Sequence, residues 1–131
     1  MLSKGLRDEE NQKINELVGR LIDLEFVPEF YETEQRSKAN GLLFEHLGFK
    51  ISDLESWSSE ELLVKLKELD FDFSNLEQFG DFLLKIIPFE DEQHESHLAA
   101  SAVAIFEYIQ EESKTFSFNI IQKINEAKSF L

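Results

Sequence analysis

Asp70–Phe89, DFDFSNLEQFGDFLLKIIPF, decides the fold class, because its opening can be read in two ways. Phe71 and Phe73 alternate with Asp70 and Asp72 as in a half-buried strand, while Leu76, Phe79, Leu83, Ile86 and Ile87 recur at helical spacing. The alternation is too short to make a strand. Ser74 and Glu77 have the spacing of a capping box, in which each side chain satisfies the other's free backbone N–H. Pro88 then stops the helix, because it lacks the N–H that the next turn needs. The stretch predicts a helix over 75–87, led by an extended connector that plugs Phe71 and Phe73 into the core.

The same signals recur on both sides. Upstream, WSSEELL (Trp57–Leu63) pairs Ser58 with Glu61 as a second capping box, and Trp57 with Leu62 as a hydrophobic staple. Leu62, Leu63, Leu66 and Leu69 carry this helix to about residue 69. Ser52 and Glu55 repeat the box spacing, so SDLES reads as a single helical turn. A helix over 29–47 puts Phe30, Tyr31, Ala39, Leu42, Leu43 and Leu47 inward; Asn40 and Gly41 are weak helix formers within it. Gly48 suits the left-handed stop, and Phe49 packs back. In the first helix Ile14, Leu17, Val18, Leu21 and Ile22 form the stripe, with Asp8, Glu9 and Glu10 in the opening turn and Pro28 at its end.

Downstream, a helix over 91–112 carries Leu98, Ala102, Ile105, Phe106 and Ile109, with Ala99, Ala100 and Ala104 keeping it slim. Thr115 or Ser117 caps a last helix to about residue 130 that uses Phe118, Ile121, Ile124 and Leu131. The expectation is an all-α fold of about six antiparallel helices packed as helical hairpins, in one domain over 1–131.

The formal net charge is −14, from 13 Lys and Arg against 27 Asp and Glu. Residues 49–92 hold 4 cations and 12 anions, a net of −8. Such a field repels phosphate backbones and anionic lipid, and steers a basic protein toward this part of the chain. Asp70, Asp72, Glu77 and Asp81 are the cluster singled out for partner binding; helix-dipole service near a helix start is their competing role. The absence of cysteine removes disulfides, thiolate metal sites and cysteine nucleophiles. The N-terminal residues show no signal-peptide core and no apolar run reaches the ~20 residues of a membrane span, so a cytoplasmic protein is expected.

Chemistry-bearing motifs are sparse. His94 and His97 in EDEQHESHL stand three apart, where both could face one ion with Glu90 or Asp91. The HExxH spacing is absent and the polar start of a solvated helix is the stronger explanation, which leaves them weak metal candidates. His46 suits the negative end of its helix. There is no glycine-rich phosphate loop, no nucleophile motif and no cofactor signature, so no catalytic residue is assigned. Trp57 is expected to be buried in its staple, and Phe71 and Phe73 to be buried likewise.

ANGLLFEHLGFK (39–50), WSSEELLVKLKELDFDFSNLEQFGDFLLKI (57–86) and AVAIFEYIQEESKTFSFNIIQKINEAKSFL (102–131) together resemble small bacterial proteins of unknown function. That group is built as tetratricopeptide-like (TPR-like) arrays of helical hairpins. The resemblance implies a TPR-like stack with a concave groove and brings no catalytic residues. Joined to the charge, it points to a non-enzymatic interaction or adaptor module meeting a basic partner. An immunity-type inhibitor of a basic toxin or nuclease is the alternative, and a metal-dependent enzyme using His94 and His97 comes after it.

Overall fold

Phe73–Ile86 is a helix, and it starts two residues before the predicted one. The computed structural model describes residues 2–131, with side chains from residue 9 onward. Among them lie seven α-helices: α1 (Leu2–Asp23), α2 (Arg36–Leu47), α3 (Ile51–Ser56), α4 (Ser59–Glu68), α5 (Phe73–Ile86), α6 (Glu92–Ser113) and α7 (Phe118–Lys128). One helical turn, Pro28–Phe30, and five π-helical residues, Tyr31–Gln35, lead into α2; a 3-10 turn, Ile87–Phe89, follows α5. No strand occurs among the described residues, and no described helix is long and apolar enough to cross a membrane.

The start of α5 moved because a better cap was available than the Ser74–Glu77 pair. The Asp72 carboxylate accepts from Asn75 N at 2.7 Å, and Asn75 Oδ1 accepts from Asp72 N at 3.0 Å. Asn75 is fully buried, yet its amide is satisfied: Nδ2 donates to Asn15 Oδ1 at 2.6 Å and to Asn11 O at 3.3 Å. One side chain therefore caps α5 and pins α1 to it. Asn75→Ala is expected to cost about 1–2 kcal/mol in a denaturant melt, since Asn11 and Asn15 can still reach water.

The helix-start shift sends one ring of the connector outward. Phe71 is buried, as expected, but Phe73 is exposed and leans on Tyr108 at 6.4 Å. A similar register change affects α7. Ser117 is its cap, accepting from Ile120 N at 3.1 Å, and the buried stripe is Ile120, Ile124 and Ala127. Phe118, Ile121 and Leu131, expected inward, are exposed. Phe30 is exposed as well, because the π-helical stretch carries Tyr31 alone into the core.

The other local signals fare unevenly. Ser58 Oγ accepts from Glu61 N at 3.1 Å, and Glu61 Oε1 accepts from Ser58 N at 3.3 Å. Trp57 is half-buried, its ring edge-on to buried Phe49 at 5.3 Å. Gly48 is left-handed, φ +82°, as a helix stop requires. Asn40, weak as a helix former, earns its place otherwise: its Oδ1 accepts from Ile51 N at 2.8 Å and satisfies a free donor of α3. The Ser52–Glu55 box is not formed. Asp53 instead accepts from Lys50 N at 2.8 Å, and Glu55 turns toward Arg36. Helix α1 begins at Leu2, so Glu9 and Glu10 do not open it; the Asp8 side chain lies outside the described set.

Helices α5 and α6 form the central hairpin, with α1 on α5 and α4 and α7 on α6. Gly80 sets the α5–α6 approach, for a Cβ there would lie 2.6 Å from the buried Phe106 ring. Helices α5 and α6, joined by a short loop, run antiparallel, for Phe73 meets Tyr108 and Gly80 meets Phe106. Helices distant in sequence are free of that constraint. Asn11 meets Asn75 near one end of the pair and Lys85 donates to the Ile22 carbonyl near the other, so α1 runs parallel to α5. Trp57 O with His97, and Lys67 over Tyr108, set α4 parallel to α6 in the same way.

Candidate functional site: an acid-rimmed cleft and a buried carboxylate pair

A cleft of about 350 Å³ opens where α1, the last turn of α2 and the end of α4 meet. Its floor is apolar: Ile14 and Leu17 from the α1 stripe, Leu47 from α2 and Leu69 after α4. Glu10, Glu68 and Asp70 stand on the rim, with Lys13 and His46 beside them. The left-handed stop at Gly48 ends α2 so that His46 and Leu47 face this opening. On the other side Asp70 turns the chain in a left-handed conformation, φ +63°, which its short polar side chain tolerates better than most. Its carbonyl is held by Asn11 Nδ2 at 2.6 Å, so the α1–α5 network also fixes the corner of the cleft. Among the described residues, the exposed carboxylates of Glu10 and Glu68 stand with Lys13 over four aliphatic side chains.

The four acids singled out in the sequence do not share one set of contacts. Asp70 lines the cleft. Asp72 caps α5. Glu77 and Asp81, one helical turn apart, converge on Lys123 of α7 at 2.6 and 3.0 Å. Burial pushes the Asp81 carboxyl above its ordinary pKa, against the pull of Lys123. Glu10, Glu68 and His46 were not signalled, because membership of the cleft depends on three helices meeting across nearly sixty residues of chain.

The two histidines at the start of α6 are not simply solvated. Both are half-buried. His97 Nε2 lies 2.5 Å from the Trp57 carbonyl oxygen, a hydrogen bond that ties α6 to the α3–α4 joint. His94 Nε2 lies 3.4 Å from the Gln93 amide. Among the described residues no three His, Asp or Glu side chains are grouped as a metal site would require.

A second cluster carried no sequence signal. Arg36, the first residue of α2, donates from Nε to Glu90 Oε2 at 3.1 Å and from Nη2 to Glu55 Oε1 at 3.1 Å. The Tyr31 hydroxyl donates to Glu90 as well. The two carboxylates are nearly sealed from water, with side-chain exposures of 7% for Glu55 and 4% for Glu90, while Arg36 keeps 25%. Phe89 stacks on Tyr31 and Phe26 meets it edge-on, both at 5.2 Å, so the cluster has an aromatic wall. Burial, with the Glu90 hydrogen bond and charge added, raises the Tyr31 hydroxyl well above its usual pKa. Burial, then the neighbouring Glu90, pushes the Glu55 carboxyl up to about 7.

Comparison with known proteins returned no match to a family model, a curated protein or a solved structure. The function therefore has to be argued from these two sites alone.

Proposed function

We propose that this chain is a non-enzymatic helical interaction module that takes a basic segment of another protein at the α1–α2–α4 cleft. The observation that carries the reading is the pairing of an aliphatic floor with the exposed carboxylates of Glu10 and Glu68. A lysine or arginine side chain matches it, laying its methylenes on Ile14, Leu17 and Leu47 and its charge between Glu10 and Glu68. The net charge of −14 supports the same partner chemistry by steering cations from a distance. The parallel run of α4 along α6, two helices later in the chain, supports a TPR-like stacking of hairpins beneath the cleft.

Glu10 and Glu68 are exposed, so Glu10→Gln with Glu68→Gln should leave stability within about 0.5 kcal/mol of the parent. NMR titration with a lysine-rich peptide is expected to shift the amides of Lys13, His46 and Leu69. The double variant should bind about tenfold more weakly, and the parent should lose affinity as salt rises. Shifts that fall elsewhere, or an affinity indifferent to both salt and the substitutions, would remove the cleft from the reading. The Glu77 and Asp81 pair, spoken for by Lys123, serves as the control: Glu77→Gln should cost a few tenths to about 1 kcal/mol and leave binding unchanged.

A further inference from the structure

The Tyr31–Arg36–Glu55–Glu90 cluster has one more buried anion than it has cations, and this points beyond binding. Arg36 is shared by both carboxylates, and Tyr31 adds a neutral donor to Glu90 only. Glu55 Oε2 is buried with no hydrogen-bond partner among the described residues. An ionised carboxylate oxygen left dry in this way is costly, whereas a proton on Glu55 removes the second negative charge and gives that oxygen a bond to make toward Glu90.

We propose that Glu55 holds a proton between itself and Glu90, and that this proton latches the Pro28–Gln35 stretch shut over the cluster. The stretch is the part able to move. Tyr31 is its one buried side chain, packed against Phe26 and Phe89 and bonded through its hydroxyl to Glu90 beside the Arg36 fork, while Gln35 ties the stretch only to Glu25 and Val27 just before it. Elements with so few buried contacts open at a fraction of the global unfolding free energy. Opening admits water to both carboxylates and restores the solvation that closure removes.

The charged surroundings set the direction. Arg36 and Tyr31 face Glu55 from the α2 side, and Glu90 and Asp91 from the turn after α5. Helix α6 also packs on α3, and its His97 bonds Trp57 O beyond the end of α3. Among the described residues named here, Arg36 alone opposes the build-up of negative charge. The closed state raises the Glu55 pKa from an ordinary 4.5 to about 7. The closed state's advantage is therefore complete below the ordinary carboxyl range and is lost as pH rises to about 7. Between about pH 6 and about pH 8 the opening equilibrium should increase about tenfold, the linkage result for those two pKa values.

Amide hydrogen exchange on the full chain tests this, with rates corrected for the intrinsic effect of pH. Protection over residues 30–36 is expected to fall about tenfold between about pH 6 and about pH 8, while α5 and α6 hold theirs. Glu55→Gln, which mimics the protonated group, should keep the segment protected at both values. Equal protection of the parent at the two pH values, or a variant that still follows the parent's pH dependence, overturns the latch. Should the variant fail to fold, a carboxyl-carbon NMR titration of the parent decides. Glu55 titrating near neutrality upholds the proposal, and titration within the ordinary carboxylate range ends it.

Discussion

Arg36→Met is expected to lower the unfolding free energy by about 3–5 kcal/mol, the range for removing one member of a buried ion pair. Methionine keeps most of the aliphatic stem, so the loss reports the charge and not the packing. Two carboxylates exposed to only 7% and 4% would be left with Tyr31 as their one neutral donor. The deficit should depend on pH in a fixed sense. Without the guanidinium, the folded state can keep Glu55 dry only by protonating it, which raises its folded-state pKa further. Stability that depends on a raised carboxyl pKa is retained at low pH and lost as pH rises, so the variant should approach the parent under acid conditions and fall furthest behind above neutrality. Adding Glu55→Gln and Glu90→Gln to Arg36→Met should recover much of the loss, because no unpaired charge then remains. A denaturant series across pH measures all of this. A uniform loss at every pH would mean that Arg36 matters for its shape alone.

Gly80→Ala is expected to destabilise by about 2–3 kcal/mol, although alanine in a helix interior ordinarily gains ~1 kcal/mol over glycine. The new Cβ would sit 2.6 Å from two atoms of the Phe106 ring, which is fully buried and has nowhere to retreat. Overpacking of that kind moves helices apart, and α5 and α6 are the pair on which α1, α4 and α7 all rest. Phe106→Leu should cost stability alone yet rescue part of the Gly80→Ala loss. A double-mutant cycle reads that coupling directly. A stabilised Gly80→Ala protein with no coupling would mean that the two helices are not in the close contact described.

Some of this was legible in the sequence, and the legible parts share a cause. Ser58 with Glu61, the left-handed stop at Gly48, Pro88 after α5 and Ser117 before α7 all satisfy or remove backbone donors and acceptors within about four residues of themselves. Where two local caps competed, the spacing alone misled. Asp72 with Asn75 prevailed over Ser74 with Glu77, since only Asn75 could also bond Asn11 and Asn15 of α1. That choice was made by a helix some sixty residues away. Phe73 was turned outward in consequence, while Phe30 and Phe118 followed the π-helical stretch and the Ser117 cap. Apolar periodicity locates a stripe to within one residue, and one residue is about 100° of helix.

What the sequence by itself determined is the class: helices, their stops, and a net charge of −14. Only the tertiary structure decided the sites. Glu55 and Glu90 are 35 positions apart and become a sealed pair because α3 and the turn after α5 both pack beside Arg36. Glu10, His46 and Glu68 rim one cleft because the middle of α1 meets the ends of α2 and α4. Local hydrogen-bond needs and periodicity are short-range and are written residue by residue. Desolvation and charge pairing depend on which faces meet, and that is fixed only when close-packed side chains from distant helices settle into one arrangement.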